Sequence, residues 1–160
     1  MNNIYIGFSS PRKFKPGAEF IKIWTESEFS HCYIRFEQEP NFSVVFHAAK
    51  GMVHYLSYEN FLKDNKTVHE YPITVDADLF KKIKRDCDNV AGEGYSTITL
   101  LKIVMSDIMH TFGGDVSTYD DKGYICSELV GKLLTNRFRV IFSKPMHLLT
   151  PKDIYNKLIN

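Results

Sequence analysis

The run Ser30-His-Cys-Tyr-Ile-Arg-Phe-Glu-Gln-Glu-Pro-Asn-Phe-Ser-Val-Val-Phe-His-Ala-Ala-Lys-Gly-Met-Val-His-Tyr-Leu-Ser57 decides the architecture. Three segments within it, His31 to Glu37, Phe42 to Ala48 and Met52 to Ser57, are rich in aromatic and β-branched residues. The breakers between them, Glu39-Pro-Asn41 and Lys50-Gly51, are short enough for hairpins. The run therefore predicts three strands of an antiparallel meander. On its N-terminal side, Ile4, Ile6 and Phe8 alternate as a half-buried strand requires. Residues 16 to 26 open on Pro16-Gly17 and carry Phe20, Ile21, Ile23 and Trp24, which predicts a short helix with the proline in its first turn. On the C-terminal side, Tyr58 to Lys63 predicts a helical turn. Thr67 to Val75 predicts a further strand.

After Val75 the pattern changes period. Asp76-Ala-Asp78 is a helix-start signal, and Leu79, Phe80, Ile83 and Val90 follow at helical spacing up to the break at Gly92-Glu-Gly94. Tyr95 to Phe112, with Ile98, Leu101, Ile103, Val104, Met105 and Ile108, predicts a buried helix ended by Gly113-Gly114. A polar loop with Asp115, Asp120 and Asp121 comes next. Ile125, Leu129, Val130, Leu133 and Leu134 form the stripe of another helix, and Thr150-Pro-Lys-Asp153 opens the last. No internal repeat or low-complexity segment interrupts this order. Strands followed by helices predict a single α+β domain over residues 1–160. An antiparallel sheet of about five strands would carry its helices on one side.

The 160 residues suffice for one domain with a core, and 44% apolar and 14% aromatic content excludes a disordered chain. Twenty basic residues balance nineteen acidic ones, so no electrostatic footprint for nucleic acid is present. Pro11-Arg-Lys-Phe-Lys15 reads as a solvated loop. Three cysteines, widely spaced and without a C-x-x-C pair, give neither a disulfide framework nor a thiol-rich zinc knuckle and suit a reducing compartment. The N-terminus reads as a strand rather than a signal peptide. The most apolar stretch, Ile98 to Met109, is broken by Lys102 and Asp107 and is too short to span a bilayer. The expectation is a soluble protein made in the cytoplasm.

Chemistry concentrates in Tyr124-Ile-Cys-Ser-Glu-Leu-Val130. Cys126 falls at the start of a helix, where free backbone N–H groups and the helix dipole favour a thiolate, the competent nucleophile. A cysteine there is, taken alone, more often a small buried apolar residue, so a base must be found. Of six histidines, His31 stands at the start of a strand and could meet a helix N-terminus packed on the sheet. His47, on the next strand, could orient His31 and fix its tautomer. His54 could point either way in its strand. His69, His110 and His147 lack any adjoining signal. Strand alternation puts Cys32 on the face opposite His31, away from the cleft. Cys87 lies mid-helix, and both cysteines read as structural.

Ser30-His31 opening a strand, Val45-Phe-His-Ala48 on the next, and the late Cys126-Ser-Glu-Leu-Val130 helix resemble the permuted papain-like cysteine hydrolases. These are the YiiX-like relatives of the NlpC-type peptidases and of lecithin retinol acyltransferase. Gly94-Tyr95 before an apolar helix and Thr150-Pro-Lys-Asp153 are also similar to that family, so the likeness covers most of the chain. In the permuted branch the histidine strand precedes the cysteine helix, as here. The resemblance implies a circularly permuted papain-like fold, with Cys126 as nucleophile, His31 as base and His47 as third polar residue. It implies acyl-enzyme chemistry without metal or organic cofactor, on a peptide or acylated substrate. An amide or peptide bond, such as one in cell-wall peptide, is the leading expectation, and lipid ester, thioester or acyl-transfer chemistry is the alternative. Small size, lysine-rich edges and the lack of a signal-like start add the expectation of a phage-encoded member acting in the host cytoplasm. Two rival classes remain. One is a metal protein using His31, His47, His54 and Cys126, ligand types that suit zinc although their spacing matches no common zinc pattern. The other is a non-enzymatic phage module that binds a host protein.

Overall fold

The alternating segments pair into one five-stranded antiparallel sheet in the order β4-β3-β2-β1-β5. The structure is a computed structural model describing residues 1–39, 42–49, 51–94 and 125–160. The strands are β1 (Asn2–Pro11), β2 (His31–Glu39), β3 (Phe42–Ala49), β4 (Met52–Ser57) and β5 (Asn65–Val75). Five α-helices lie among the described residues: α1 (Pro16–Trp24), α2 (Tyr58–Asp64), α3 (Ala77–Val90), α4 (Cys126–Phe138) and α5 (Pro151–Ile159). A 3-10 turn spans Met146–Leu148. The helix expected over Tyr95 to Phe112, its Gly113-Gly114 end and the loop with Asp115, Asp120 and Asp121 lie outside the described residues. No helix among the described residues is long and apolar enough to cross a membrane.

Strand parity sorts the side chains onto two faces. Ile4, Ile6 and Phe8 of β1, Cys32, Ile34 and Phe36 of β2, and Phe46 and Ala48 of β3 form one buried face, joined by residues of α3, α4 and α5. Each large apolar side chain buried there contributes about 1.5–3 kcal/mol relative to exposure. α3 supplies Ile83 and Cys87, four residues apart and so on one side of the helix, and Asp76 caps it by accepting from Leu79 N–H at 2.7 Å. The start of α5 is a capping box, with Thr150 and Asp153 each bonded to the other's backbone N–H.

The second face is covered too, which departs from the one-sided arrangement expected. Tyr33 and Val45 pack there against Phe61 of α2. The cause is topological. α2 joins β4 at one edge of the sheet to β5 at the other, so the connection must cross a face, and α3, α4 and α5 occupy the first. Beside this smaller core, Arg35 bonds both carboxylate oxygens of Glu70, through Nε at 2.9 Å and Nη2 at 2.7 Å. Two glycines are required by geometry. Gly51 adopts φ +89° next to Met52, where β4 begins. Gly7 lets the ring of Tyr33 lie flat on β1, since a Cβ at position 7 would stand 2.1 Å from Tyr33 Cζ.

Candidate active site

The site begins with α4. Cys126, Leu129, Val130, Leu133 and Leu134 share one side of the helix and are buried against β2 and β3. Cys126 is its first residue, preceded by Ile125 in extended conformation (φ −103°, ψ 157°) with no side-chain cap. Ser57, Asp76 and Thr150 cap α2, α3 and α5 with an oxygen. Isoleucine has none to offer, so the N-cap residue of α4 supplies no oxygen to its first-turn amides. The helix is held at this end. Ser127 donates its hydroxyl hydrogen to the Leu149 carbonyl. Gly131 leaves room for Leu149, whose Cδ1 would lie 2.7 Å from a Cβ at that position.

His31 comes to Cys126 from β2. By parity it belongs to the second face, with Tyr33 and Arg35. As the first residue of its strand, though, it sits at the end of the sheet, paired with Ser9. From there the imidazole is near enough to Cys126 to favour its thiolate over the thiol. Its Nε2 lies 3.1 Å from Nδ1 of His47, with ring centroids 5.3 Å apart at 75°. His47 is 4% exposed, held between the edge contact of Phe61 at 5.4 Å and the ring of His54, its register partner on β4, at 4.7 Å. The three residues read from the sequence as Cys126, His31 and His47 are thus brought into one connected line.

Cys32, placed by strand alternation on the face opposite His31, is buried in the core that α4 also joins. The neighbouring Cys32 and His31 hold the Cys126 thiol well below its ordinary range, against the opposing effect of burial. Burial, and then the adjoining Cys126, push Cys32 well above its own.

The other candidates fall outside this line. Cys87 lies buried mid-helix, where burial and the flanking Asp86 and Asp88 push its thiol up, so it stays protonated and inert. His54 turns Nδ1 to the Met52 carbonyl at 3.3 Å. His69 packs among the rings of Phe29 and Tyr155. His147 is exposed on the 3-10 turn, and His110 lies outside the described residues. Among the described residues no group of three or more His, Cys, Asp or Glu side chains is arranged to hold a metal ion, and the set His31, His47, His54 and Cys126 does not close around a point.

One turn along α4 from Cys126, a cleft of about 240 Å³ opens between α3 and α4. Ile34, Cys87, Val90, Leu129 and Leu133 line it together with the polar Asp86, Asn89, Lys132 and Asn136. Compared with known proteins, the chain matches no protein family and no curated protein.

Proposed function

We propose that this protein is a cysteine hydrolase of the permuted papain-like type, forming an acyl-enzyme on Cys126 with an amide or peptide substrate. The contact of Cys126 with His31, whose far nitrogen is bound to His47, carries this reading. The order of elements supports it as well: the strand bearing the base precedes the helix bearing the thiol, and that helix packs on an antiparallel sheet.

The chemistry follows from the positions. With Nε2 of His31 engaged by His47, Nδ1 is the nitrogen left to exchange a proton with Cys126. The proton moves from sulfur to His31, and the thiolate attacks the substrate carbonyl carbon. The oxyanion is met by N–H groups of the first turn of α4, which Ile125 does not cap. On collapse the C–N bond breaks, and the His31 proton passes to the departing amine. Water then adds to the thioester, giving its proton to His31. The acid product leaves, and Cys126 is regenerated. The test is paired alkylation and turnover. Iodoacetamide should label Cys126 at pH values below the ~8.5 of a free cysteine, and Cys126→Ala should abolish peptide hydrolysis. Labelling no faster than that of a surface thiol overturns the reading.

A second reading is favoured by one observation, the cleft one turn from Cys126, with an apolar wall of Ile34, Val90, Leu129 and Leu133 beside its polar residues. It suits an acyl chain better than a polar peptide, and so a lipid ester or thioester. Nitrophenyl esters of rising chain length, compared with peptide amides, separate the two readings. A preference for long chains that Leu133→Asp removes selects the lipid substrate.

A further inference from the structure

We propose that the segment from Arg12 to Trp24 docks this protein on an anionic membrane surface, with Phe14 as the inserted anchor and Lys13 and Lys15 on the lipid headgroups. The proposal concerns where the protein sits and does not depend on the reading of Cys126 as nucleophile.

Large apolar side chains left singly in water are ordinary, but several on one segment mark a contact surface. Phe14 is 77% exposed, Ile23 77% and Trp24 40%, and all three fall between β1 and β2. Phe20, Ile23 and Trp24 stand at i, i+3 and i+4 and so share a side of α1. Phe20 packs against the main core and Ile21 is buried in it, so α1 is already seated and Ile23 and Trp24 are left over. The residues ahead of α1 are held as well. The Arg12 backbone N–H donates to the Asp64 carbonyl at 2.9 Å, and its Nε donates to the Leu62 carbonyl at 2.6 Å. Pro16 begins the helix with its φ already set. Lys22 ties α1 to the end of β1 by donating to Ser10 Oγ at 3.2 Å. Phe14 is thus presented from a braced loop, and little ordering entropy is lost on docking.

The charges select the partner. Lys13 and Lys15 flank Phe14, both are exposed, and neither makes an ion pair among the described residues. Surfaces that bind other proteins are poor in lysine. Segments that lie in the interfacial layer of a membrane instead carry Lys and Arg beside Phe, Leu and Trp. Two lysines around one exposed phenylalanine fit the second kind, with the ring among the upper acyl carbons and the ammonium groups on the phosphates. Acidic groups lie along α1 and beyond its far end. Glu19 is held by Lys22 at 2.7 Å, and Glu26 and Glu28 follow the helix beside Ile23 in a shallow groove. The basic end therefore seats on an anionic surface while the acidic end stands off, which makes Phe14 a stronger anchor than Ile23. The placement also bears on the site. β1 carries Ser9 opposite His31 and ends at Pro11, so the loop leaves the sheet at the end where His31 stands. Docking brings that end of the sheet to the bilayer.

Trp24 is the single tryptophan of the chain, so its fluorescence reports on the segment without a label. The full chain is mixed with vesicles of phosphatidylcholine alone, or of phosphatidylcholine with about one third phosphatidylserine. Binding is read by co-sedimentation and by Trp24 emission. The anionic vesicles should bind more protein, shift the emission to the blue and lose the protein as salt rises. Replacing Lys13 and Lys15 by serine should lower the partition about fivefold for each charge lost. Phe14→Ser should lower it about tenfold or more, and Ile23→Ser less than that. These side chains are exposed, so the variants should fold, which thermal melts check. Cys126→Ala should bind as the parent does, whether or not the parent hydrolyses anything, so this outcome is separate from that of the hydrolase reading. Equal partition onto the two kinds of vesicle overturns the proposal, as does a folded Phe14→Ser that binds like the parent or loses less than Ile23→Ser. So does self-association in sedimentation velocity that Phe14→Ser abolishes while no vesicle is bound, which would make this a face for a second copy of the chain.

Discussion

Nε2 of His31 and Nδ1 of His47 lie 3.1 Å apart across the β2–β3 pair, so one nitrogen of each ring is committed to the other. The bond orients His31 toward the thiol and sets its proton inventory. The two histidines should therefore fail differently. On the proposed mechanism His31→Ala removes the base and should lower turnover by about 10²–10⁴-fold. His47→Ala removes only the orienter and should cost about 10–100-fold, the scale for partners that fix a functional histidine. Steady-state kinetics on one substrate checks the order, and a reversed order would mean that His47 is the base.

Stability should fall in alkali, for a reason that can be traced to Cys87. Burial, with Asp86 and Asp88, raises its thiol in the folded state. An unfolded chain gives up that proton above about pH 8.5 while the folded chain keeps it. The unfolded state then binds fewer protons, so the stabilisation present below that pH is lost as pH rises toward the folded value. Cys32 is raised as well and adds to the loss. Thermal melts from pH 7 to alkali should show a declining Tm. Cys87→Ala should start lower and decline less steeply, and parallel declines in the two proteins would refute the assignment.

Gly7→Ala tests the contact between β1 and Tyr33. A Cβ there would stand 2.1 Å from Tyr33 Cζ, closer than packed atoms approach. The ring cannot swing aside cheaply, because its hydroxyl bonds Thr67 at 3.0 Å and Glu70 at 2.9 Å and Phe61 lies against it at 4.6 Å. Overpacking of this kind costs about 1–3 kcal/mol or more. Urea unfolding should show it, and pairing Gly7→Ala with Tyr33→Val should recover part of the loss.

Arg35 and Glu70 should be worth more to each other than to the fold. The guanidinium holds both oxygens of Glu70, bonds Ser43 at 3.1 Å and stacks 3.7 Å from the Tyr5 ring. Glu70→Ala strands a mostly buried cation and should cost about 3–5 kcal/mol. The double change Arg35→Met with Glu70→Leu should cost much less, since an apolar pair of similar volume carries no desolvation penalty. Equal losses in the single and double variants, measured in urea, would refute this.

The strands and helices were legible because burial imposes a period. Ile4, Ile6 and Phe8 alternate, while Leu129, Leu133 and their neighbours repeat every three or four residues. The candidate thiol, Cys126, and the two histidines were legible as types in sequence order. What period cannot convey is sidedness. Tyr58 to Lys63 read as a helical turn without showing which face it would cross, since that depends on β5 lying beyond β1. Parity correctly parted Cys32, which lies in the core with residues of α4, from His31, which stands at the end of the strand on the other face. The isoleucine before Cys126 was a readable sign of an uncapped helix, because Ile125 has no oxygen to offer the first turn.

The separation of the two halves of the site along the chain bears on synthesis. His31, Cys32 and His47 are joined through a single pair of neighbouring strands, a local event available as soon as that part of the chain leaves the ribosome. Cys126 belongs to the last quarter of the chain and meets them only when α4 docks on the finished sheet. Until then its sulfur has neither the imidazole nor an ordered helix end beside it, and it titrates as an ordinary cysteine. On the proposed reading, a nascent or truncated polypeptide is catalytically silent, and activity is switched on by completion of the fold itself.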